Sequence, residues 1–334
     1  MPENVIESSL CKEDANFEVP LRPSTLKEFA GQDAIRERLD VVIGAARQRG
    51  EAISHCLFSG PPGLGKTTLA NILANAIDCD IIVTSGPVLE KAGDLAGMLT
   101  NLKKGDILFI DEIHRLNRVI EEYLYSAMED YCLDLVIDSG PAARSVQLKL
   151  EQFTLVGATT RAGALSGPLR SRFPMTFRLD FYSPDVLKTI LLRSAKLLGV
   201  TIDDISAWEI AARSRGTPRI ANNLLRWVRD YAQMKADNII TEDVVKKALE
   251  MIAIDEEGFG EMDKKILEII IDHHNGGPVG LGTIATAIGE EKVTIEEMYE
   301  PYLIMKGFLR RTSRGREVTT LAYEHLGKKH DFLL

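Results

Sequence analysis

Gly60-Pro-Pro-Gly63-Leu-Gly65-Lys66-Thr67 is the stretch of this sequence with the most chemistry in it. It fits G-x-x-x-x-G-K-[ST] and lies between the apolar run of Cys56, Leu57 and Phe58 and a helical pattern of Leu69, Ile72, Leu73 and Ala76. A strand, a glycine-rich turn and a helix, in that order, let successive backbone N–H groups curl around a phosphate at the helix N-terminus. Gly63 and Gly65 supply the turn, Lys66 a point charge at the β/γ-phosphates, and Thr67 a hydroxyl ligand for Mg2+, with Thr68 continuing the first helical turn. About 45 residues downstream, the apolar run Ile107-Leu-Phe-Ile110 ends in Asp111-Glu112. Such a run predicts a strand buried on both faces of a parallel sheet, with the acidic pair at its carboxyl end, where ligands bind in open α/β sheets. Asp111 is expected to hold Mg2+ through water, and Glu112 to polarise an attacking water. The expected ligands are ATP and Mg2+, and the expected reaction is hydrolysis.

The rest of the chain must position these groups. Its 334 residues suggest two or three domains, and 45% hydrophobic with 27% charged residues excludes a disordered or low-complexity chain. The net charge of −9 speaks against a protein that coats nucleic acid nonspecifically, but not against a local basic patch. Four cysteines without a C-x-x-C pair, an acidic N-terminal stretch without an apolar core and the lack of any long apolar run predict a cytoplasmic protein with no membrane contact. The six histidines form no metal-ligand spacing.

Alternating strand and helix patterns through residue 182 predict an α/β domain with a mainly parallel sheet: a helix from Asp33 to Arg49, strands at His55–Ser59, Asp80–Thr84, Ile107–Ile110 and Phe153–Ala158, and helices between them. A hairpin interrupts it, with Leu133, Leu135 and Ile137 alternating, a Ser-Gly-Pro turn at 139–141, then Val146, Leu148 and Leu150. From Ser183-Pro184, an N-cap followed by proline, the pattern is helical to about residue 251. Asp255-Glu-Glu-Gly-Phe-Gly260 reads as an acidic linker, followed by three short helical segments and two strands around a glycine turn, the order of a winged helix. The expected domains are 1–182, 183–255 and 256–334.

With these motifs in place, residues from about 20 to 255 resemble the AAA+ family of ATPases. That resemblance implies a sensor 1 polar residue at the end of Gly157-Ala-Thr159-Thr160-Arg161, with Thr160 preferred and Thr159 not separable from it by alternation alone. It implies that Leu169-Arg170-Ser-Arg172-Phe173 carries an arginine finger, Arg172, reaching a neighbouring subunit's nucleotide. It further implies that Gly216-Thr-Pro-Arg219 carries sensor 2, Arg219.

In the C-terminal module, Thr294-x-x-Glu297 reads as a capping box that opens a helix, with a kink at Pro301. That helix carries Glu296, Glu297 and Glu300 on its expected polar face, so it does not suit a phosphate surface. Arg310, Arg311, Arg314 and Arg316 surround the hairpin turn instead, which predicts phosphate contact without base readout.

Across about residues 20–330, the blocks GPPGLGKTTLA, SGPVLEKAGDLA, LFIDEIHRLN, GATTRAG, LRSRF, RGTPRIAN, GGPVGL and EPYLI resemble the RuvB family of bacterial branch-migration motors. The resemblance implies a homo-oligomeric ring, expected to be a hexamer, that encircles duplex DNA and pumps it through a Holliday junction held by RuvA. It also implies the RuvC resolvase in the same complex, and a role in recombination, repair of DNA damage and the SOS response. The hairpin at about 133–150 becomes the docking element for RuvA. Leu21, Arg22 and Tyr182 become the adenine and ribose side of the pocket, Glu129, Asp130 and Tyr131 a further nucleotide-proximal block, and Arg311 and Arg316 DNA contacts. Two rival classes share parts of this pattern: a clamp-loader-like ATPase, which would not need the winged module, and a DNA-binding regulator switched by ATP, which would require a defective catalytic set, whereas Lys66, Asp111, Glu112, Arg172 and Arg219 are all present.

Overall fold

Five parallel strands form the sheet that carries the glycine-rich turn. The structure, a computed structural model, describes residues 19–137 and 144–329. The sheet strands are β1 (Cys56–Ser59), β2 (Ile81–Ser85), β3 (Ile107–Asp111), β6 (Thr154–Thr159) and β7 (Met175–Arg178), with β4 (Cys132–Ile137) and β5 (Arg144–Lys149) forming a separate hairpin. Their order across the sheet is β2-β3-β6-β1-β7. In β1, β3 and β6 the apolar residues are buried almost to the last atom, because helices cover both faces of the sheet. On one face Leu57, Leu108 and Leu155 pack with Leu95, Leu124 and Phe173. The hairpin pairs antiparallel with Leu133 opposite Leu148, as the alternation predicts, while the 139–141 turn lies outside the described residues. Strand β7 was not expected from the sequence. It is an edge strand that buries only Phe177, so its residues carry no continuous apolar run.

His55, just before β1, ties the amino ends of the sheet together. Its Nδ1 accepts from the Leu155 amide at 2.8 Å, and Nε2 faces the Met128 carbonyl at 3.2 Å. An accepting Nδ1 and burial both favour the neutral ring, and burial holds its pKa below the ordinary 6.5. A histidine depressed in the fold stabilises fully above the unfolded-state value and loses that contribution as pH falls through it. The melting temperature should therefore decline as pH drops below about 6.5, and His55→Gln should flatten that decline. Parallel pH–melting curves for the two proteins would refute this.

The chain divides into two compact units: residues 22–60 with 64–180, and residues 61–63 with 181 onward and the segment ending at Leu21. The second unit contains both the helical region and the winged module. Its helices α6 (Pro184–Leu197), α7 (Asp204–Ala212), α8 (Pro218–Lys235) and α9 (Glu242–Met251) follow α1 to α5 of the first unit (Asp33–Arg49, Lys66–Ile77, Ala92–Thr100, Arg118–Glu129 and Gly167–Ser171). Two short strands between these helices, β8 (Thr201–Ile202) and β9 (Ile239–Ile240), pair in parallel. Ser183, Asp203 and Thr241 cap α6, α7 and α9, each side chain accepting a backbone N–H of the first turn.

Residues 255–260 are not a linker. Asp255 accepts from the amides of Glu257 and Phe259, pairs with Lys264 and His325, and Phe259 is wholly buried. The acidity that suggests a solvated tether is spent on turn hydrogen bonds and ion pairs. Beyond it, α10 (Glu261–His274) and α11 (Leu281–Ile288) precede a longer helical stretch and the wing, β10 (Leu309–Thr312) with β11 (Gly315–Val318), then a closing helix Thr320–His325.

Arg215 joins the helical region to the winged module. It is 2% exposed, donates to Asp263 Oδ2 at 3.0 Å and to the Met298 carbonyl, and its guanidinium lies 4.8 Å from the Tyr302 ring centroid. Burial pushes the Asp263 carboxyl up and the Arg215 charge pulls it back. Breaking such a pair from one side costs about 3–5 kcal/mol, because the other charge is left stranded.

Candidate functional site: a hydrolysis cluster and an arginine wing

The hydrolysis cluster assembles at the carboxyl ends of β1, β3 and β6. Gly60 and Gly65 bracket the turn at φ 140° and 102°, conformations open to glycine and strained for other residues. Gly65 leads into α2, whose first residue Lys66 is buried and donates from Nζ to the Gly60 carbonyl at 2.8 Å. Thr67 and Thr68 follow in the first turn, with Thr68 buried and Thr67 half-exposed. Asp111 and Glu112 end β3 as expected. The Asp111 carboxylate accepts the Glu112 amide at 2.9 Å, and Glu112 takes a left-handed backbone at φ 45°. A non-glycine residue held there is costly and typical of functional sites.

Thr160 sits against Glu112, its hydroxyl 3.2 Å and its amide 3.4 Å from Oε2. Thr159 is fully buried, facing His114 Nδ1 at 2.9 Å and accepting the Arg161 amide. Of the two threonines, Thr160 therefore shares an environment with the Glu112 carboxylate. His114, which the sequence does not single out, also lies 3.1 Å from Glu112 Oε2. Its signal is present, three residues after Asp111, but a lone histidine beside a helix has no spacing to mark it.

In the second unit, Leu21 and Tyr182 are buried. The Leu21 carbonyl accepts from Arg193 at 2.6 Å, and the Tyr182 amide bonds to the Gly216 carbonyl. A Cβ on Gly63 would stand 2.7 Å from Thr217 and 3.1 Å from Arg219 Cβ, so the turn passes where only glycine fits. Arg22 falls in the first unit, and Arg219 in the first turn of α8.

Arg172 and Glu129 lie elsewhere. They pair at 2.8 Å, and the guanidinium stacks 4.4 Å from the Tyr125 centroid. Glu129 ends α4 next to Met128, whose carbonyl faces His55 ahead of β1, and Arg172 precedes β7, whose first residue Met175 donates its amide to the His55 carbonyl. Both therefore sit at the amino ends of the strands, opposite the phosphate-binding turn. The block Glu129, Asp130, Tyr131 is accordingly not part of the same unit's phosphate cluster. Arg172 stands at that same end of the strands.

The wing departs from expectation. Helical structure runs from Lys292 through a π turn at Ile295–Tyr299 to Met305, so Thr294 is inside the helix and caps nothing. The π turn ends two residues before Pro301, which has no N–H for the carbonyl four residues back. One extra residue in the turn rotates the next residues by about 100°, and Glu300 is carried from the expected solvent face to complete burial. There it accepts from Arg311 Nε at 2.8 Å and Nη2 at 2.6 Å, and from Arg316 Nε at 2.6 Å and Nη2 at 3.2 Å. Glu296 stays half-exposed, 3.3 Å from Arg311. The Glu296, Glu297, Glu300 face is thus not one acidic surface. Arg310 and Arg314 are exposed.

Comparison with known proteins gives the family. Three family models match in sequence: "Holliday junction DNA helicase RuvB P-loop domain" over residues 21–179, "RuvB AAA lid domain" over 182–255 and "RuvB C-terminal winged helix domain" over 256–327. The Holliday junction branch migration complex subunit RuvB of Protochlamydia amoebophila is 65% identical, with 98% of each chain covered. That of Flavobacterium johnsoniae is 59% identical over 95% of this chain and 93% of the relative. The solved Thermotoga maritima RuvB Holliday junction branch migration motor superposes with a TM-score of 0.86 at 51% identity, covering 93% of this chain and 99% of that one. The chain belongs to the RuvB family, an AAA+ P-loop ATPase with a helical lid and a winged-helix C-terminal domain.

Proposed function

We propose that the chain is one subunit of a hexameric ring that encircles duplex DNA and drives branch migration of Holliday junctions by ATP hydrolysis, docked on RuvA through the β4–β5 hairpin and working beside RuvC in recombination and DNA repair. The observation that carries this reading is Lys66, Asp111, Glu112 and Thr160 gathered at the carboxyl ends of the strands and a paired-arginine wing in the same chain. A clamp-loader-like ATPase has no use for the wing, and a regulator switched by ATP has no use for Glu112 placed against Thr160.

Within the cluster, Lys66 neutralises phosphate charge while the turn amides hold it, and Thr67 and Asp111 supply the oxygen donors that a hard cation prefers. Mg2+, when bound, offsets charge developing between the β- and γ-phosphates. Glu112 accepts a proton from water at Oε1 or Oε2, with Thr160 and His114 fixing the carboxylate through Oε2. Arg219 is proposed as the lid's contact to the same nucleotide, and Leu21, Arg22 and Tyr182 as its base and ribose side. Arg172, paired with Glu129 at the other end of the strands, is proposed to serve a neighbouring subunit. The proposed division is 1–182, 183–255 and 256–334, in a cytoplasmic protein.

The test is ATP turnover with and without duplex, alongside migration of a synthetic four-way junction. Turnover indifferent to DNA would favour the switch reading. At the wing, replacing Arg311 or Arg316 by alanine should weaken binding equally for unrelated duplexes, and each lost contact should reduce the slope of log K against log salt by about one. Loss confined to one sequence would mean base readout and contradict phosphate contact.

A further inference from the structure

We infer that Glu300 is a positioning residue of the wing: its buried carboxylate fixes both Arg311 and Arg316 so that a DNA phosphate meets them already ordered. This rests on the reading that the wing contacts duplex DNA. Arg311 and Arg316 are direct cross-strand partners, a placement in which two like charges repel. Glu300 sits beneath the pair with no exposed surface and binds each guanidinium through its Nε and Nη2 edge. Side-on bonding of this kind sets the plane of the group and leaves the Nη1 end for another acceptor. The arginine side chains remain 45% and 17% exposed while the carboxylate has no surface of its own, so an incoming phosphate approaches the cations and not the anion.

Two physical effects oppose each other when Glu300 is neutralised. Counting charges, Arg311 and Arg316 give +2 and Glu296 and Glu300 give −2, so Glu300→Gln raises the local charge from 0 to +1 and should tighten binding by attraction alone. Against this, the two guanidinium groups lose the bridge that holds them together and regain rotamer freedom that DNA must then remove. Because Glu300 is buried under the pair, its bonds to them are short and direct, whereas a phosphate meeting the exposed cations stands farther from the carboxylate and feels its repulsion less. Ordering therefore prevails.

The expected result is that Glu300→Gln lowers duplex affinity roughly tenfold, the freedom of two long side chains, while the slope of log K against log salt stays at the wild-type value. Arg311→Ala, in contrast, should lower affinity and slope together. A folded Glu300→Gln protein, judged by its melting temperature and circular dichroism, that binds duplex as tightly as wild type or tighter overturns the inference. Should that variant not fold, Arg311→Lys decides, because lysine keeps the charge and cannot make the side-on pair: loss of affinity at unchanged slope supports positioning, and wild-type affinity overturns it. If the Arg311→Ala, Arg316→Ala double variant binds duplex with unchanged affinity and slope, the wing reading itself has failed, an outcome distinct from both.

Discussion

Glu112→Gln should bind ATP as tightly as the wild-type protein and hydrolyse it about 10²–10⁴ times more slowly. The amide keeps the size of the side chain and an oxygen for Thr160 and His114, so the surroundings of Oε2 survive, but it cannot take a proton from water. Lys66→Ala should fail one step earlier. Its ammonium, buried at the start of α2 beside the Gly60 carbonyl, is the proposed positive charge of the phosphate cradle, and its loss should abolish detectable nucleotide binding. Equilibrium binding of a fluorescent ATP analogue and single-turnover phosphate release separate the two defects. Normal turnover by Glu112→Gln would remove it from the role of base.

Arg172→Ala should reduce turnover by about 10³–10⁵, the range measured for arginine fingers, without weakening ATP binding by the same subunit. Arg172 stands at the amino ends of the strands with Glu129, and Lys66 and Glu112 stand at the carboxyl ends, so on the proposed reading the two halves of the chemistry come from different subunits. Specific activity should accordingly rise with protein concentration as rings assemble. Mixing Arg172→Ala with Lys66→Ala protein should restore part of the activity, since the first offers an intact phosphate cradle and the second an intact finger. Because Arg172→Ala also removes the Glu129 ion pair and the stacking on Tyr125, its melting temperature, measured beside turnover, separates a folding defect from lost catalysis. Mixed rings confirmed by mass spectrometry yet inactive would eliminate the trans assignment.

The parts of the molecule that sequence reveals most directly are those where local rules and tertiary demands coincide. Gly60 to Thr67 needs glycine dihedrals and a buried lysine, and Ile107 to Ile110 needs burial on both faces, so spacing alone places them. Ser183 and Thr241 work as caps because their hydroxyls need only their own helix. The features that stay hidden depend on partners distant in the chain. Asp255 looks solvated until Lys264 and His325 come round to it. Glu300 looks exposed because helical phase is counted at 3.6 residues per turn, and a π turn breaks the count. Thr159 and Thr160 cannot be told apart by alternation at a strand end, and only His114 and Glu112, each claiming one of them, separate their surroundings.

The buried Arg215–Asp263 pair has a mechanical consequence. Arg215 is immediately followed by Gly216, Thr217 and the first turn of α8, where Arg219 stands, and Asp263 belongs to the first turn of α10. With residues 255–260 folded down around Phe259, there is no soft hinge between lid and head to absorb a twist. The two are therefore expected to move together as one body. Stiffness of this kind transmits in both directions: with the wing on DNA as proposed, a change at the lid would reach the DNA, and drag on the DNA would reach back to the lid with the same coupling free energy. Load-dependent nucleotide affinity, measured with a junction held under tension, is the signature such a coupling would leave, and a compliant joint such as Asp263→Ala would lower it.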